Sequence, residues 1–197
     1  MRASSFPFYA LVALLVGLLA GSAGFRVPGG ALDVTLALLI LLAGFLAGRG
    51  LPETVGSSRS VLLLGVTLAF STVLSGALAG ALVSGYLEVD PRIGAVIGMS
   101  SGWYSLAGPL VATVNPAYGV TAFLANIARE AAHIILYPTL SSCCPLEAIA
   151  IGGATTMDSG LPVVAVYGDR KTSVIAVVHG TTITLALPAL IPLLIPA

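Results

Sequence analysis

Charged side chains are scarce. Lysine and arginine together number 8 and aspartate and glutamate 8, so 8% of the 197 positions carry charge, against about 25% in ordinary soluble domains. The signs cancel to a formal net charge of +0. No basic cluster appears, which removes nucleic acid as a partner. Disorder is excluded too, because it needs low hydrophobicity and high net charge. Cysteine occurs twice, at the adjacent positions Cys143 and Cys144. Neighbouring cysteines rarely close a relaxed disulfide with each other, and two of them make no metal framework. They read as small apolar fillers at a helix end, with an interchain bridge in a dimer as the alternative. No Ser/His/Asp or zinc-spaced set is evident, so the chain does not read as an enzyme and no cofactor or metal is expected.

What is present is apolar. Hydrophobic residues fill 57% of positions, and mean hydropathy is +1.06. A soluble domain of this length leaves about a third of its unfolded area wet after folding, too little cover for so much apolar surface. The expected class is therefore all-α: a polytopic membrane helical bundle, a single integral membrane domain over residues 1–197, seated in a lipid bilayer. A helix needs roughly 20 apolar residues to cross the hydrocarbon. Cutting at charges, Pro-Gly pairs and polar clusters gives seven segments, 8–25, 31–48, 60–86, 92–114, 118–140, 146–167 and 172–195. The first resembles a signal peptide in having Arg2 before its apolar run, but everything downstream is membrane too, so removal is not expected. Loop cations orient the bundle: Arg2, Arg49, Arg59, Arg170 and Lys171 fall on one side against Arg26 and Arg92 on the other, which favours N-in, C-out. Segments four and six are interrupted by glycine and proline, and re-entry of either would change the parity.

Glycine fills 23 positions and recurs at small-xxx-small spacing, as at Gly17/Gly21, Gly44/Gly48 and Gly76/Gly80. Such spacing lets helix backbones approach closely, either within the chain or across a dimer face.

Two stretches break apolar helices with polar residues. One runs from Gly98 through Ser100, Ser101, Gly102, Trp103, Tyr104 and Ser105 to Gly108-Pro109. The other runs from Gly152-Gly153 through Thr155, Thr156, Asp158 and Ser159 to Gly160 and Pro162. Broken helices at membrane depth persist only when buried in protein or lining a wet cavity. In transporters their exposed N–H and C=O ends hold substrate and ions. Both segments are thus predicted to be unwound near Gly102 and Gly153–Gly160, and to approach each other. Asp158 is the sharpest residue, because an ionised acid at mid-membrane costs on the order of 3 kcal/mol on insertion scales.

Segment five carries Asn126, Arg129, Glu130, His133 and Tyr137, which steps of three and four place mostly on one face. Arg129 and Glu130 diverge by about 100 degrees around a helix, so Arg129 is expected to meet an acid elsewhere, with Asp158 as the candidate. Glu130 and His133 have the spacing of half a carboxylate–histidine metal site, but the second half is lacking. His179 fits a proton relay or a hydrogen-bonded core histidine equally well. Asp33 reads as an interfacial structural acid.

Four motifs in order, Gly102-Trp103-Tyr104-Ser105-Leu106, Asn126-xx-Arg129-Glu130, Gly153-Ala-Thr-Thr-Met-Asp158-xx-Leu161-Pro162-Val163 and Val178-His179-Gly180, resemble the LysO-type lysine exporters over essentially the whole chain. The resemblance implies efflux of L-lysine and its toxic analogues across the cytoplasmic membrane in exchange for protons. It places Asp158 where that family has an intramembrane acid needed for transport. Longer family members carry an additional N-terminal membrane block, so the chain reads as a short form matching their later part.

Two functions follow. In the first, the chain is a proton-coupled lysine exporter whose substrate and proton site comprises Asp158, Glu130, Arg129, Asn126, Ser101, Gly102, Tyr104, Ser105, Gly153, Thr155, Thr156 and His179. In the second, it is a non-transporting membrane subunit that completes another protein's bundle. Seven short spans can hardly enclose an alternating-access cavity alone, so a homodimer is expected.

Overall fold

The computed structural model describes residues 6–26 and 58–195, together with Pro28, Val34, Leu38 and Leu41. Segment 31–48 as a unit, Asp33 and the Gly44/Gly48 pair lie outside the described residues. Among the described residues the chain is all helical. The elements are α1 (Phe6–Ser22), α2 (Ser58–Tyr86), α3 (Pro91–Met99), α4 (Tyr104–Ala112), α5 (Pro116–Leu140), α6 (Pro145–Gly152), a 3-10 turn (Gly153–Met157), α7 (Leu161–Tyr167) and α8 (Arg170–Leu194).

Two of these helices, over Arg59–Tyr86 and Arg170–Leu194, are long and apolar enough to cross a membrane. α5 has the length, 25 residues, but carries the polar face. Segments four and six are not continuous rods. Segment four is α3 and α4, each of 9 residues; segment six is α6 of 8 residues and α7 of 7, separated by the 3-10 turn. None of these halves is long enough to span alone.

Local chemistry fixes where the helices begin. Asp90 accepts from the Arg92 amide at 2.8 Å ahead of Pro91, Asn115 from the Ala117 amide at 2.8 Å ahead of Pro116, and Asp169 from the Thr172 amide at 2.6 Å. Each caps orphan amides that the first turn leaves open. The hydrogen bonding of Thr172 to Asp169 also holds that loop carboxyl below its ordinary range.

The packing defines two ends of the bundle. At one, Val61 of α2, Tyr137 of α5, Ile149 of α6, Val164 of α7 and Ile175 of α8 form one buried cluster. The other cluster gathers the later part of α2, α3, α4, Ala122 near the start of α5, and Leu187 and Ile191 near the end of α8. α2 and α8 therefore run parallel, and α5 runs against both. α3 runs inward antiparallel to α2, with Gly76 and Gly80 set against the backbone of Gly98 and Gly94 so closely that a Cβ at any of the four would collide. α4 returns outward, Gly108 and Ala112 meeting Gly119 and Phe123 of α5. α6 and α7 make the same excursion from the opposite end. The Gly76/Gly80 spacing thus serves packing within the chain, whereas Gly17 and Gly21 on α1 have nothing within 4 Å among the described residues.

Candidate functional site

The two breaks meet in the middle of the bundle. α3 ends on Ser101 (φ 49°) and Gly102 (φ 87°), and α6 ends on Gly153 (φ 63°), all left-handed. Glycine is suited to that conformation; a serine in it is held there by its surroundings. The Ala154 amide donates to the Ser101 carbonyl at 2.8 Å, and a Cβ on Gly153 would fall on that same carbonyl. Unwinding and mutual approach, both predicted from the sequence, are present.

α5 supplies the struts. Asn126, buried, accepts the Gly102 amide at 2.7 Å through its side-chain oxygen and donates to the Ala122 and Ile97 carbonyls at 2.8 and 3.3 Å. The Arg129 guanidinium donates to the Ile151 and Ala150 carbonyls at 2.8 and 2.9 Å, to the Gly98 carbonyl at 3.3 Å and to Ser101 Oγ at 3.5 Å. Its partners are the orphan carbonyls and negative dipole ends of α3 and α6 together. None of these bonds reaches Asp158, so the pairing expected of those two residues is absent: the broken helices supply acceptors closer to hand.

Beyond the struts lies a cavity of about 300 Å³ lined by Gly102, Trp103, Tyr104, Ser105, Ala154, Thr155, Met157, Asp158, Ser159 and Thr184. Five expected site residues, Gly102, Tyr104, Ser105, Thr155 and Asp158, form its wall. Tyr104 is braced edge-on against Phe123 with ring centroids 5.4 Å apart. Glu130 reaches the same place through Ser159, whose hydroxyl donates to Glu130 Oε1 and lies 3.3 Å from Asp158 Oδ1. The Ser159 amide also donates to Asp158 Oδ1, at 2.6 Å. One serine thus links the two acids. Facing them, α4 starts at Trp103 with no side-chain cap; the Trp103, Tyr104 and Leu106 amides are taken by the Ser100, Gly102 and Trp103 carbonyls, which leaves the Ser105 amide as the first-turn donor open to an anion.

The remaining expected residues stand behind the wall. Asn126, Arg129, Ser101 and Gly153 hold the breaks together. Thr156 and His179 belong to a separate buried chain: His179 Nδ1 lies 3.1 Å from Thr156 Oγ1 and Nε2 3.1 Å from Thr72 Oγ1. Those contacts are of a hydrogen-bonded core histidine tying α2, α8 and the 3-10 turn. Trp103, Ala154, Met157, Ser159 and Thr184 also line the cavity and are not among the residues expected from the sequence. Four sit inside the quoted stretches, beside chosen residues. Thr184, on α8, had no signal beyond being a hydroxyl in an apolar helix.

The family model described as "Lysine exporter LysO" matches residues 10–195. The chain is 33% identical to "Lysine exporter LysO" of Escherichia coli over 164 residues, covering 81% of this chain and 53% of that protein. It thus spans about half the length of that relative. It is 27% identical to "Putative lysine exporter" of Haemophilus influenzae over 188 residues, covering 92% of this chain and 94% of that protein. A short form of longer members describes the chain against the Escherichia coli protein and not against the Haemophilus influenzae one, which is matched over nearly its full length. No solved structure matches the chain.

Proposed function

The chain belongs to the lysine exporter LysO family, and from that premise we propose that it exports L-lysine and close analogues across the cytoplasmic membrane in exchange for protons. The observation that carries the reading is Asp158 on the wall of a cavity between two helix breaks, opposite an uncapped helix start. Lysine at neutral pH carries two ammonium groups and one carboxylate. Asp158 suits an ammonium, while the Ser105 amide, with the hydroxyls of Ser105 and Tyr104, suits the carboxylate. A carboxylate that holds either a proton or an ammonium, never both, gives exchange by competition. Glu130, bonded to the same serine as Asp158, sets how readily Asp158 takes a proton.

The same reading makes α3–α4 and α6–α7 re-entrant hairpins entering from opposite faces, with α2, α5 and α8 crossing between them. Arg59, Arg170 and Lys171 then share a face and Arg92 takes the other, in keeping with the positive-inside bias. Parity is unchanged because both segments change together. A homodimer belongs to the proposal, with the Gly17/Gly21 face of α1, which meets nothing among the described residues, as its contact.

Reconstitution tests it: purified chain alone in vesicles should drive labelled lysine flux that follows an imposed pH gradient. Lysine flux indifferent to that gradient sinks the exchange mechanism. Absence of any flux favours the non-transporting subunit.

A further inference from the structure

Two polar atoms in the interior stand apart from every other buried side chain described. His133 and Tyr137, successive turns of α5, are each 0% exposed. Yet neither His133 Nε2 nor the Tyr137 hydroxyl makes a hydrogen bond of good geometry, the Gly160 backbone being the nearest polar neighbour of the His133 ring on that side. The rings are neighbours, with centroids 5.3 Å apart. Burying a polar group unpaired is costly, and such groups mark a bound water or a functional role. Each atom faces a glycine at one end of α7. A Cβ on Gly160 would lie 3.0 Å from Nε2, and one on Gly168 would lie 2.9 Å from the Tyr137 oxygen. The Thr155 carbonyl stands beside the first space, and the Val164 carbonyl and the Thr172 methyl beside the second.

The line has two defined ends. One turn before His133 on α5 is Glu130, bonded to Ser159 at the cavity. One residue beyond Gly168 is Asp169, exposed in the loop before α8. Tautomer chemistry supports direction: His133 Nδ1 lies 2.9 Å from the Ala148 carbonyl, which can only accept, so Nδ1 carries the hydrogen and Nε2 presents a lone pair. His179 offers no such opening, since both its ring nitrogens face hydroxyls.

We propose that Glu130, His133, Tyr137 and Asp169 form a proton path that connects the acid pair at the cavity with the bundle end where α8 begins. A proton leaving Glu130 adds to His133 Nε2. The imidazolium passes it, directly or through water held between Gly160 and Gly168, to the Tyr137 oxygen as that hydroxyl releases its own proton to Asp169. No electrons move; His133 and Tyr137 return to their starting states, while Asp169 gives the proton to bulk water and Glu130 stays ionised until it takes a proton from the cavity side. This proposal rests on the proton-exchange reading above.

Reconstituted Tyr137→Phe and His133→Gln variants separate the path from that reading. Lysine–lysine counterflow needs no net proton movement, whereas gradient-driven flux does. Tyr137→Phe removes only a hydroxyl that lacks a partner, so it should fold with wild-type thermal stability. The expected result is loss of gradient-driven flux and of lysine-dependent proton release in both variants, with counterflow retained. Wild-type gradient-driven flux in both would overturn the path. So would parallel loss of counterflow and driven flux in a stable Tyr137→Phe protein, which would mark a structural role. A wild-type protein whose lysine flux ignores the gradient overturns the exchange reading itself, and the path with it.

Discussion

The backbone amide of Ala154 donates to the Ser101 carbonyl across 2.8 Å, and this bond ties one helix break to the other. Everything proposed for the site depends on that junction. It exists because Gly153 takes a left-handed turn that brings the start of the 3-10 turn against Ser101.

Gly153→Ala should therefore be severe. The left-handed conformation costs a residue with a Cβ roughly 1–2 kcal/mol. The added carbon would also strike the Ser101 carbonyl. A lowered melting temperature in detergent and lost export are expected. Gly85→Ala is the control, since nothing lies within 4 Å of its Cβ position. A Gly153→Ala protein as stable as the Gly85→Ala protein would mean the junction is looser than described.

Arg129 is the second test of the junction. Its planar fork meets carbonyls of both α3 and α6, a geometry that lysine cannot copy. A hydrogen bond to a charged group contributes about 1.5–3 kcal/mol, so Arg129→Gln should lose stability measurably and Arg129→Lys should lose less. Thermal unfolding ranks the three proteins. Equal midpoints would show that the guanidinium is not holding the breaks.

The breaks were legible because Gly, Ser, Thr and Pro at mid-membrane depth conflict with a continuous apolar helix, and local conflict of that kind marks a built site. The position of Asp158 beside the second break was legible for the same reason. The partner of Arg129 was not, because its acceptors are main-chain carbonyls that become free only once α3 and α6 end, and a sequence displays side chains alone. His179 illustrates a different limit. Its residue type suits a relay or a core hydrogen bond equally, and only the positions of Thr72 and Thr156 on other elements separate the two. The glycine pairs divide likewise: Gly76/Gly80 and Gly17/Gly21 share one spacing, yet only the first finds a partner helix among the described residues.

Asp158→Asn keeps size and removes charge and titration. Because Arg129 is satisfied by carbonyls, the Asn variant leaves no cation stranded, and it should insert and express normally while losing lysine export at every pH. Asp158→Glu should keep partial activity. For the same reason Arg129→Gln should not improve an Asp158→Asn protein. PH-dependent export by well-expressed Asp158→Asn would end the competition mechanism.

Native Cys143 and Cys144 report on the hairpins. They lie between α5 and α6, and Cys143 is exposed. If α6–α7 enters and leaves by one face, these cysteines share that face with the loop before α8, where Lys171 sits. If segment six crosses fully, Cys143 and Lys171 lie on opposite faces, whichever way the whole bundle is inserted. A membrane-impermeant maleimide applied to intact cells and to inverted vesicles distinguishes the two, with Lys171→Cys in a Cys143→Ser, Cys144→Ser background as the second probe. Labelling of both positions from the same side is expected. With the cationic loops inside, that side is the cytoplasm. A partner probe, Asn115→Cys in the same background, should label from the other side, because α4 returns to the end from which α3 entered. Cys143 and position 171 labelling from opposite sides would restore a full sixth span and remove the hairpin from the transport model.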